Sequence, residues 1–271
     1  MGASNMPQKQ TENTRPLFTI VSVAKDNLDG LKATEQSIHD CKITDYEWIV
    51  IDGNSQDGTA AYLKAHENVT YISEDDHGIY DAMNKAIPLA NGEYTIFMNA
   101  GDCFAQRIVM QKVARAAQFE PSLIYGDALE QCPIKPDQLV FKVARKHHQI
   151  HRGLFTHHQA MFYRTDLLKA FSYNCMYKIA ADYDLTLRFL KEHPRAVYIP
   201  RAVCIFAAGG VSQQFEKRGR IEQQLIRRKE LGYSWFKNKS IALTQRMASF
   251  IKNRMPPVYW WIRTHTPHTH A

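Results

Sequence analysis

A chain of 271 residues with 45% hydrophobic and 23% charged residues can bury a sizeable core, which excludes a disordered or low-complexity protein. The net charge of +7 is lopsided: residues 214–271 hold 12 Lys/Arg against 3 Asp/Glu, whereas residues 1–213 carry a net −2. Five scattered cysteines (Cys41, Cys103, Cys132, Cys175, Cys204) form no CxxC pair, which argues against a zinc clamp or disulfide framework and for free thiols in a reducing cytoplasm.

Residues 1–15 are polar and read as a disordered lead-in, without the apolar region of a signal peptide. Met1-Gly2 opens like a myristoylation site, but Met6 stands where Ser or Thr is needed. No run reaches about 18 uninterrupted apolar residues, so no spanning helix is expected. Residues 18–24, 46–52, 69–73 and 94–99 read as strands; the spacing predicts helices over 28–41, 60–65 and 79–89 between them. Asp57 or Thr59 is the expected N-cap of the second helix. Strands alternating with helices imply an α/β fold with a mostly parallel sheet covered on both faces. In such sheets ligands collect beyond the carboxyl ends of the strands. Asp52, the run Glu74-Asp75-Asp76 and Asp102 all fall there.

Beyond residue 105 the pattern is mixed. A helix is expected over 108–117, strands over 123–127, 139–143 and 160–163, and a His-rich loop over 147–158. A helix follows over 183–191, with Asp182 as a natural N-cap, then two strands over 196–199 and 203–207.

Three stretches carry the chemistry. They are Asp52-Gly53-Asn54-Ser55-Gln56-Asp57-Gly58-Thr59, the run from Glu74 to Ala86, and Gly92 to Asp102 with its Asn99-Ala100-Gly101-Asp102 end. Together they resemble family 2 glycosyltransferases of the GT-A (Rossmann-like) fold, of the kind found in bacterial exopolysaccharide assembly. The resemblance covers residues 17 to about 210, and the segment from Asp76 to Asp102 is its most specific part. It implies a nucleotide-sugar donor with UDP as the commonest base, a divalent Mn²⁺ or Mg²⁺ ion, and a saccharide or lipid-linked acceptor. It also implies a direct displacement that inverts the anomeric centre. Asp52 matches the acid that contacts the base, and the strand end at Val23 and Lys25 lies beside base and ribose. Asp76, Asp81, Asn99, Ala100 and Gly101 fall on the donor-sugar side. Asp102 matches the last acid of the DXD metal motif, with Asn99 and Gly101 where many relatives carry acids. Asp182 matches the second acid of the Glu-Asp catalytic motif, and Ala181 replaces the first. Asp127, His157 and His158 are placed on the acceptor side; a late histidine joins the metal shell in some GT-A enzymes.

The chemistry asks for these residue types independently. A divalent cation stabilises the diphosphate leaving group. A carboxylate within hydrogen-bond reach takes the proton of the attacking hydroxyl. Two acids with separate roles are therefore expected, Asp102 for the metal and Asp182 for the proton.

The expected organisation is a catalytic domain over 16–212, with a nucleotide-sugar half (16–105) and an acceptor half (106–212). A basic helical extension over 213–271 follows. There Ile221, Leu225 and Ile226, then Ile241, Leu243, Met247, Phe250 and Ile251, form apolar stripes among Lys and Arg, ahead of Tyr259-Trp260-Trp261. Basic amphipathic helices of this kind suit an anionic membrane surface, here through residues 213–263 at the cytoplasmic face, or pack on the catalytic domain. No nucleic-acid module is recognisable. Two rival readings stay open: a nucleotidyltransferase, although Ala24-Lys25-Asp26-Asn27 is poor in glycine, and a binding protein on a degenerate transferase fold. A dinucleotide oxidoreductase is excluded by the missing GxGxxG.

Overall fold

The computed structural model describes residues 15–132, 135–206 and 215–255. The lead-in before residue 15 and the aromatic run Tyr259-Trp260-Trp261 lie outside the described residues. The first half alternates β1 (Phe18–Ala24), α1 (Leu28–Asp40), β2 (Tyr46–Asp52), α2 (Thr59–Lys64), β3 (Val69–Ser73), α3 (Ile79–Ala86) and β4 (Tyr94–Phe97). These strands pair in parallel in the order β3-β2-β1-β4. β1 is buried along its whole length because helices cover both its faces. Its side chains divide by parity: Val21 and Val23 join one core, Phe18 and Ile20 the other. The buried Ser22 is satisfied within that packing. Its hydroxyl donates to Met98 O (2.6 Å) and accepts from Trp48 Nε1 (2.9 Å).

After β4 come β5 (Cys103–Phe104), α4 (Arg107–Ala117), β6 (Leu123–Cys132), β7 (Lys135–Lys142), β8 (Met161–Arg164), α5 (Thr165–Leu168), α6 (Ala181–Glu192) and β9 (Ala196–Phe206). The sheet continues as β4-β8-β6-β9-β5 with β7 added on β6, and here it is mixed: β8 is antiparallel to both β4 and β6, while β9 is parallel to β6. The two expected late strands are one strand with a bulge. Gly126 pairs with Ile199 and Asp127 with Ala202, which leaves Pro200 and Arg201 unopposed. Proline has no N–H to give to the ladder. Gly126 is required opposite the bulge, because a Cβ there would lie 2.8 Å from Arg201 O.

β2 and β3 continue on one side of β1 and β4 lies on the other, so the crossovers diverge at the carboxyl ends of β1 and β4. The close approach of the loop before β4 depends on Gly92. A Cβ at this position would lie 2.4 Å from Thr19 N and 2.5 Å from Phe18 C, both backbone atoms of β1. Gly92→Ala is therefore expected to destabilise the protein by roughly 3 kcal/mol, seen as a lower midpoint in urea unfolding. An unchanged midpoint would show that β4 can shift without cost.

Two further helices complete the structure, α7 (Glu216–Leu231) and α8 (Trp235–Arg254). Gly232, at φ +61°, closes α7, and Ser234 caps α8 by accepting from Lys237 N. The fully buried Arg227 donates from Nε to Asn238 Oδ1 (2.8 Å), and Asn238 Nδ2 donates to Gln224 O (2.7 Å). α7 also packs on α6, where Lys191 Nζ donates to Glu230 O (2.8 Å). The described part of the basic extension, residues 215–255, is thus folded against the core. Among the described residues, no helix is long and apolar enough to cross a membrane.

Candidate active site

The turn after β4 is built from β1 and α1. Ala100 N donates to Val23 O (3.0 Å), and Gly101 N donates to Gly30 O (2.9 Å). Asn27 caps α1 by accepting from Gly30 N and donates to Ala100 O (3.0 Å). Thr34 Oγ1 lies within 3.1 Å of Asn99 O and 2.8 Å of Asp102 O. Gly101 has φ +100°, a conformation that side-chain-bearing residues rarely adopt. That strain accounts for glycine at this position of the motif. The turn places Asn99, Ala100 and Asp102 on the wall of a cavity of about 610 Å³.

The second half of the chain contributes to the same cavity. His157, His158 and Gln159, just before β8, and Asp182, in the first turn of α6, line the same cavity. Asp182 is not the N-cap expected from the sequence. Ala180 occupies that position and α6 starts at Ala181. Two residues past the cap, Asp182 Oδ1 accepts from Tyr183 N (2.7 Å), which leaves Oδ2 facing His158 Nδ1 at 3.5 Å. His158 Nε2 lies 3.4 Å from Asn99 Nδ2, so this imidazole stands between the β4 turn and α6.

Asp102 Oδ2 accepts from Gln159 Nε2 (2.9 Å) and Asn99 N (3.2 Å). Burial raises its carboxyl above the ordinary range; His158, Gln159 and the Asn99 N–H pull it partly back. The carbonyl oxygens Asn99 Oδ1 and Gln159 Oε1 are buried without a hydrogen-bond partner. Such orphaned acceptors in a cavity wall imply an absent donor or cation. Among the described residues, no three His, Cys, Asp or Glu side chains cluster as a metal site. The donor set here is one carboxylate and an amide oxygen, with an imidazole alongside. That set fits a hard divalent ion that takes its remaining ligands from substrate oxygens and water.

His157 belongs to the wall rather than to the reacting centre. Its ring stacks on Phe206 (centroids 4.2 Å apart, 10° between planes), and Nε2 lies 2.9 Å from Glu130 Oε1 and 3.1 Å from Lys142 Nζ. Burial first, then Lys142, lower its pKa to about 4 against the pull of Glu130, so the ring is neutral at physiological pH.

Other residues expected in the site lie elsewhere. Asp52 ends β2 and is fully buried, with its carboxylate accepting from Ser55 N (3.2 Å), Ser55 Oγ and Ser73 Oγ (2.6 Å). It builds the 53–55 turn and does not line the cavity. Lys25 and Asp76 meet beside that turn: a Cβ on Gly53 would lie 2.4 Å from Asp76 Oδ2 and 3.4 Å from Lys25 Cδ. They lie beyond the ends of β1 and β3 and do not line the cavity. Val23 is buried and contributes its carbonyl. Asp81 sits in the first turn of α3 and accepts from His77 N (3.0 Å). Asp57 is not the α2 N-cap, a place taken by Gly58; it accepts from Leu28 N (2.7 Å) and Thr59 N. Asp127, expected on the acceptor side, is buried in β6, accepts from Ala144 N and Tyr198 Oη (both 2.7 Å), and stays outside the cavity. Its carboxyl group ties β6 to β9 and to the chain after β7.

Two contributions, Gln159 and the α7–α8 residues, were missed in the sequence; Tyr80, an aromatic suited either to stack on a sugar or to pack in the core, joins them in the cavity wall. Gln159 orients Asp102. Tyr80, from α3, lines the cavity, stacks on Tyr173 and donates to Ile179 O (2.9 Å). Arg220 and Gln223 of α7, with Gln245 and Ser249 of α8, form the cavity roof. Only the helical spacing of the last four was visible in the sequence, not the face they present.

The family model described as Glycosyl transferase family 2 matches residues 19–181, more than half of the chain. The chain is 30% identical over 188 residues to the "PGL/p-HBAD biosynthesis glycosyltransferase" of Mycobacterium tuberculosis, covering 64% of this chain and 69% of that protein. Among solved structures it resembles S. aureus TarS 1-349 (TM-score 0.63, 16% identity, 87% of this chain and 73% of that one). It also resembles the mannosyltransferase PcManGT from Pyrobaculum calidifontis in complex with GDP-Man and Mn²⁺ (TM-score 0.61, 16% identity, 82% and 66%). At such identities the structures establish the shared fold, while the sequence matches establish kinship. The chain belongs to glycosyl transferase family 2.

Proposed function

We propose that this glycosyltransferase moves a sugar from a nucleotide-sugar donor, with UDP the favoured base, to a hydroxyl of a saccharide or lipid-linked saccharide, with inversion. One observation carries the reading: Asp102, after β4, and Asp182, at the start of α6, line one cavity, with the His158 imidazole 3.5 Å from Asp182 Oδ2 and close enough to act on the Asp102 carboxyl. The diphosphate lies on the Asp102 side, against the β4 turn, and the nucleoside extends toward the ends of β1 and β3, where Lys25 and Asp76 lie. The acceptor enters on the Asp182 side, under the α7–α8 roof. Asp182 Oδ1 is fixed by Tyr183 N, so Oδ2 is the oxygen that takes the acceptor proton. The shared fold supports the donor class, since TarS 1-349, to which this chain is similar in fold, is known in complex with UDP and with UDP-GlcNAc.

Asp102 and Asn99 Oδ1 would hold Mn²⁺ or Mg²⁺, with His158 beside them; bound there, the ion stabilises the negative charge that develops on the diphosphate. Gln159 keeps the Asp102 carboxylate oriented, and the neutral His157 on Phe206 gives the acceptor side an apolar face. The test of stereochemistry is proton NMR of the product. An α-linked donor is expected to give a β-linked product, and retention would contradict direct displacement with Asp182 as base.

The same reading places the enzyme at the inner surface of the membrane. On α8, Phe236 (78% exposed), Leu243, Met247 and Phe250 (62%) form an outward apolar stripe. Gln245 and Ser249 of the same helix face the cavity. The exposed Lys237, Lys239 and Arg246 lie beside the stripe. An amphipathic helix with this polarity fits the headgroup region of an anionic bilayer. Full-length protein is expected to float with vesicles of phosphatidylcholine and phosphatidylglycerol. Replacing Leu243, Met247 and Phe250 with Ser is expected to weaken this at least tenfold, a roughly minimal figure for three apolar side chains. Equal flotation of both proteins would refute the membrane assignment and leave the chemistry untouched.

A further inference from the structure

The segment Lys178-Ile179-Ala180 leads directly into Asp182, and it is held in place from α7. The Glu222 carboxylate accepts from three consecutive backbone N–H groups: Lys178 N (3.0 Å), Ile179 N (2.9 Å) and Ala180 N (2.9 Å). Its fourth donor is Arg218 Nε (2.9 Å), one turn earlier on the same helix. Glu222 is only 6% exposed, although it lies in a strongly basic helix. The carbonyl side of the same segment is held by α3, through Tyr80 Oη to Ile179 O (2.9 Å). Gly219 lets α7 approach this closely; a Cβ there would lie 3.0 Å from Ile179 Cγ2.

We propose that Glu222 is a positioning residue for Asp182, acting through the 178–180 backbone. This inference rests on the reading of Asp182 as the general base. α7 begins after residue 181, where the family match ends, so Glu222 and Arg218 lie outside the matched region while the segment they hold lies inside it. A carboxylate suits the task because it only accepts hydrogen bonds and has about four lone-pair sites for four donors. Gln at 222 would turn an NH₂ group toward N–H donors. The segment would lose at least one anchor, and the first turn of α6 would shift. Displacement of a reacting group by about 1 Å costs turnover on the order of 100-fold. The α7–α8 hairpin is on this account part of the catalytic machinery, in addition to any role in surface attachment.

The test uses full-length protein, with turnover read as nucleoside diphosphate release from the best donor and binding measured with UDP. Glu222→Gln is expected to lower kcat roughly 30- to 100-fold, with donor KM and UDP affinity within about threefold of wild type. Arg218→Ala, which frees one side of the carboxylate, is expected to lower kcat by a smaller factor of about 3 to 10. Lys191→Ala removes an α6–α7 tie away from the cavity and is expected to leave turnover unchanged. In an Asp182→Asn background, Glu222→Gln is expected to cost less than about threefold more. Wild-type kcat in Glu222→Gln, or a loss that multiplies fully with that of Asp182→Asn, would overturn the proposal. A loss matched by an equal fall in UDP affinity and melting temperature would reduce Glu222 to a general structural part and overturn it as well. Full turnover in Asp182→Asn alone would instead refute the base assignment on which the proposal rests.

Discussion

Asp182→Asn is expected to lower kcat by roughly 10³-fold while donor affinity stays within about threefold of wild type. The carboxamide is nearly isosteric and can keep the bond from Tyr183 N, so α6 retains its first turn. What it loses is the basic oxygen that faces His158 and the cavity. The acceptor hydroxyl then has no carboxylate to take its proton as the new bond forms. Steady-state kinetics with varied donor, together with UDP binding by calorimetry, separates the two effects. A variant that folds normally but loses donor affinity would place Asp182 on the donor side and remove it from the proton transfer.

Asp102→Ala is expected to weaken Mn²⁺-supported donor binding by about 100-fold or more, because the ion loses its one protein carboxylate. The pH dependence follows from burial. Because burial raises the carboxyl of Asp102 in the folded protein, the anion that a cation needs is lost at higher pH than for an exposed aspartate. Donor KM is thus expected to rise on the acid side before an ordinary carboxylate would titrate. The sign for stability is opposite. A folded-state pKa above the unfolded one contributes stability that is present at low pH and lost as pH rises through the folded value. Asp102→Asn is therefore expected to raise the metal-free melting temperature at neutral pH while abolishing metal-supported donor binding, a stability cost retained for function. A lower melting temperature for Asp102→Asn would show that the hydrogen bonds from Gln159 and Asn99 outweigh the burial of the charge.

The first half of the fold was legible because physics writes it locally. Strands buried on both faces, such as β1 and β2, appear as continuous apolar runs. The acids at their ends mark where the sheet stops. β9 was harder, since Pro200-Arg201 interrupts the apolar run while the strand itself continues through a bulge. Asp182 lies inside the first turn of α6 and not at the cap the sequence suggested, because an Asp before a helical pattern resembles a cap. Asp127 ends an apolar run just as Asp52 and Asp102 follow one, and only the tertiary packing separates a carboxylate that binds Tyr198 from one that faces a cavity. Glu222 could not be found by spacing. In sequence it pairs with Arg218 like any i, i+4 neighbour on a basic helix, and its other partners lie 42–44 residues away. The roof has the same origin: Gln223 and Gln245 meet across two helices, with Gln245 Nε2 donating to Gln223 Oε1 (2.8 Å).

The most direct measurement is release of nucleoside diphosphate from UDP-, GDP- and dTDP-sugars by full-length wild type and Asp102→Ala, with Mn²⁺ or Mg²⁺ and with EDTA. The account predicts release from one donor, favouring a UDP-sugar, that EDTA suppresses and Asp102→Ala abolishes. Release that is indifferent to EDTA and to Asp102→Ala would contradict the assignment of Asp102, and wild type that neither binds nor cleaves any of the donors would contradict a nucleotide-sugar transferase altogether.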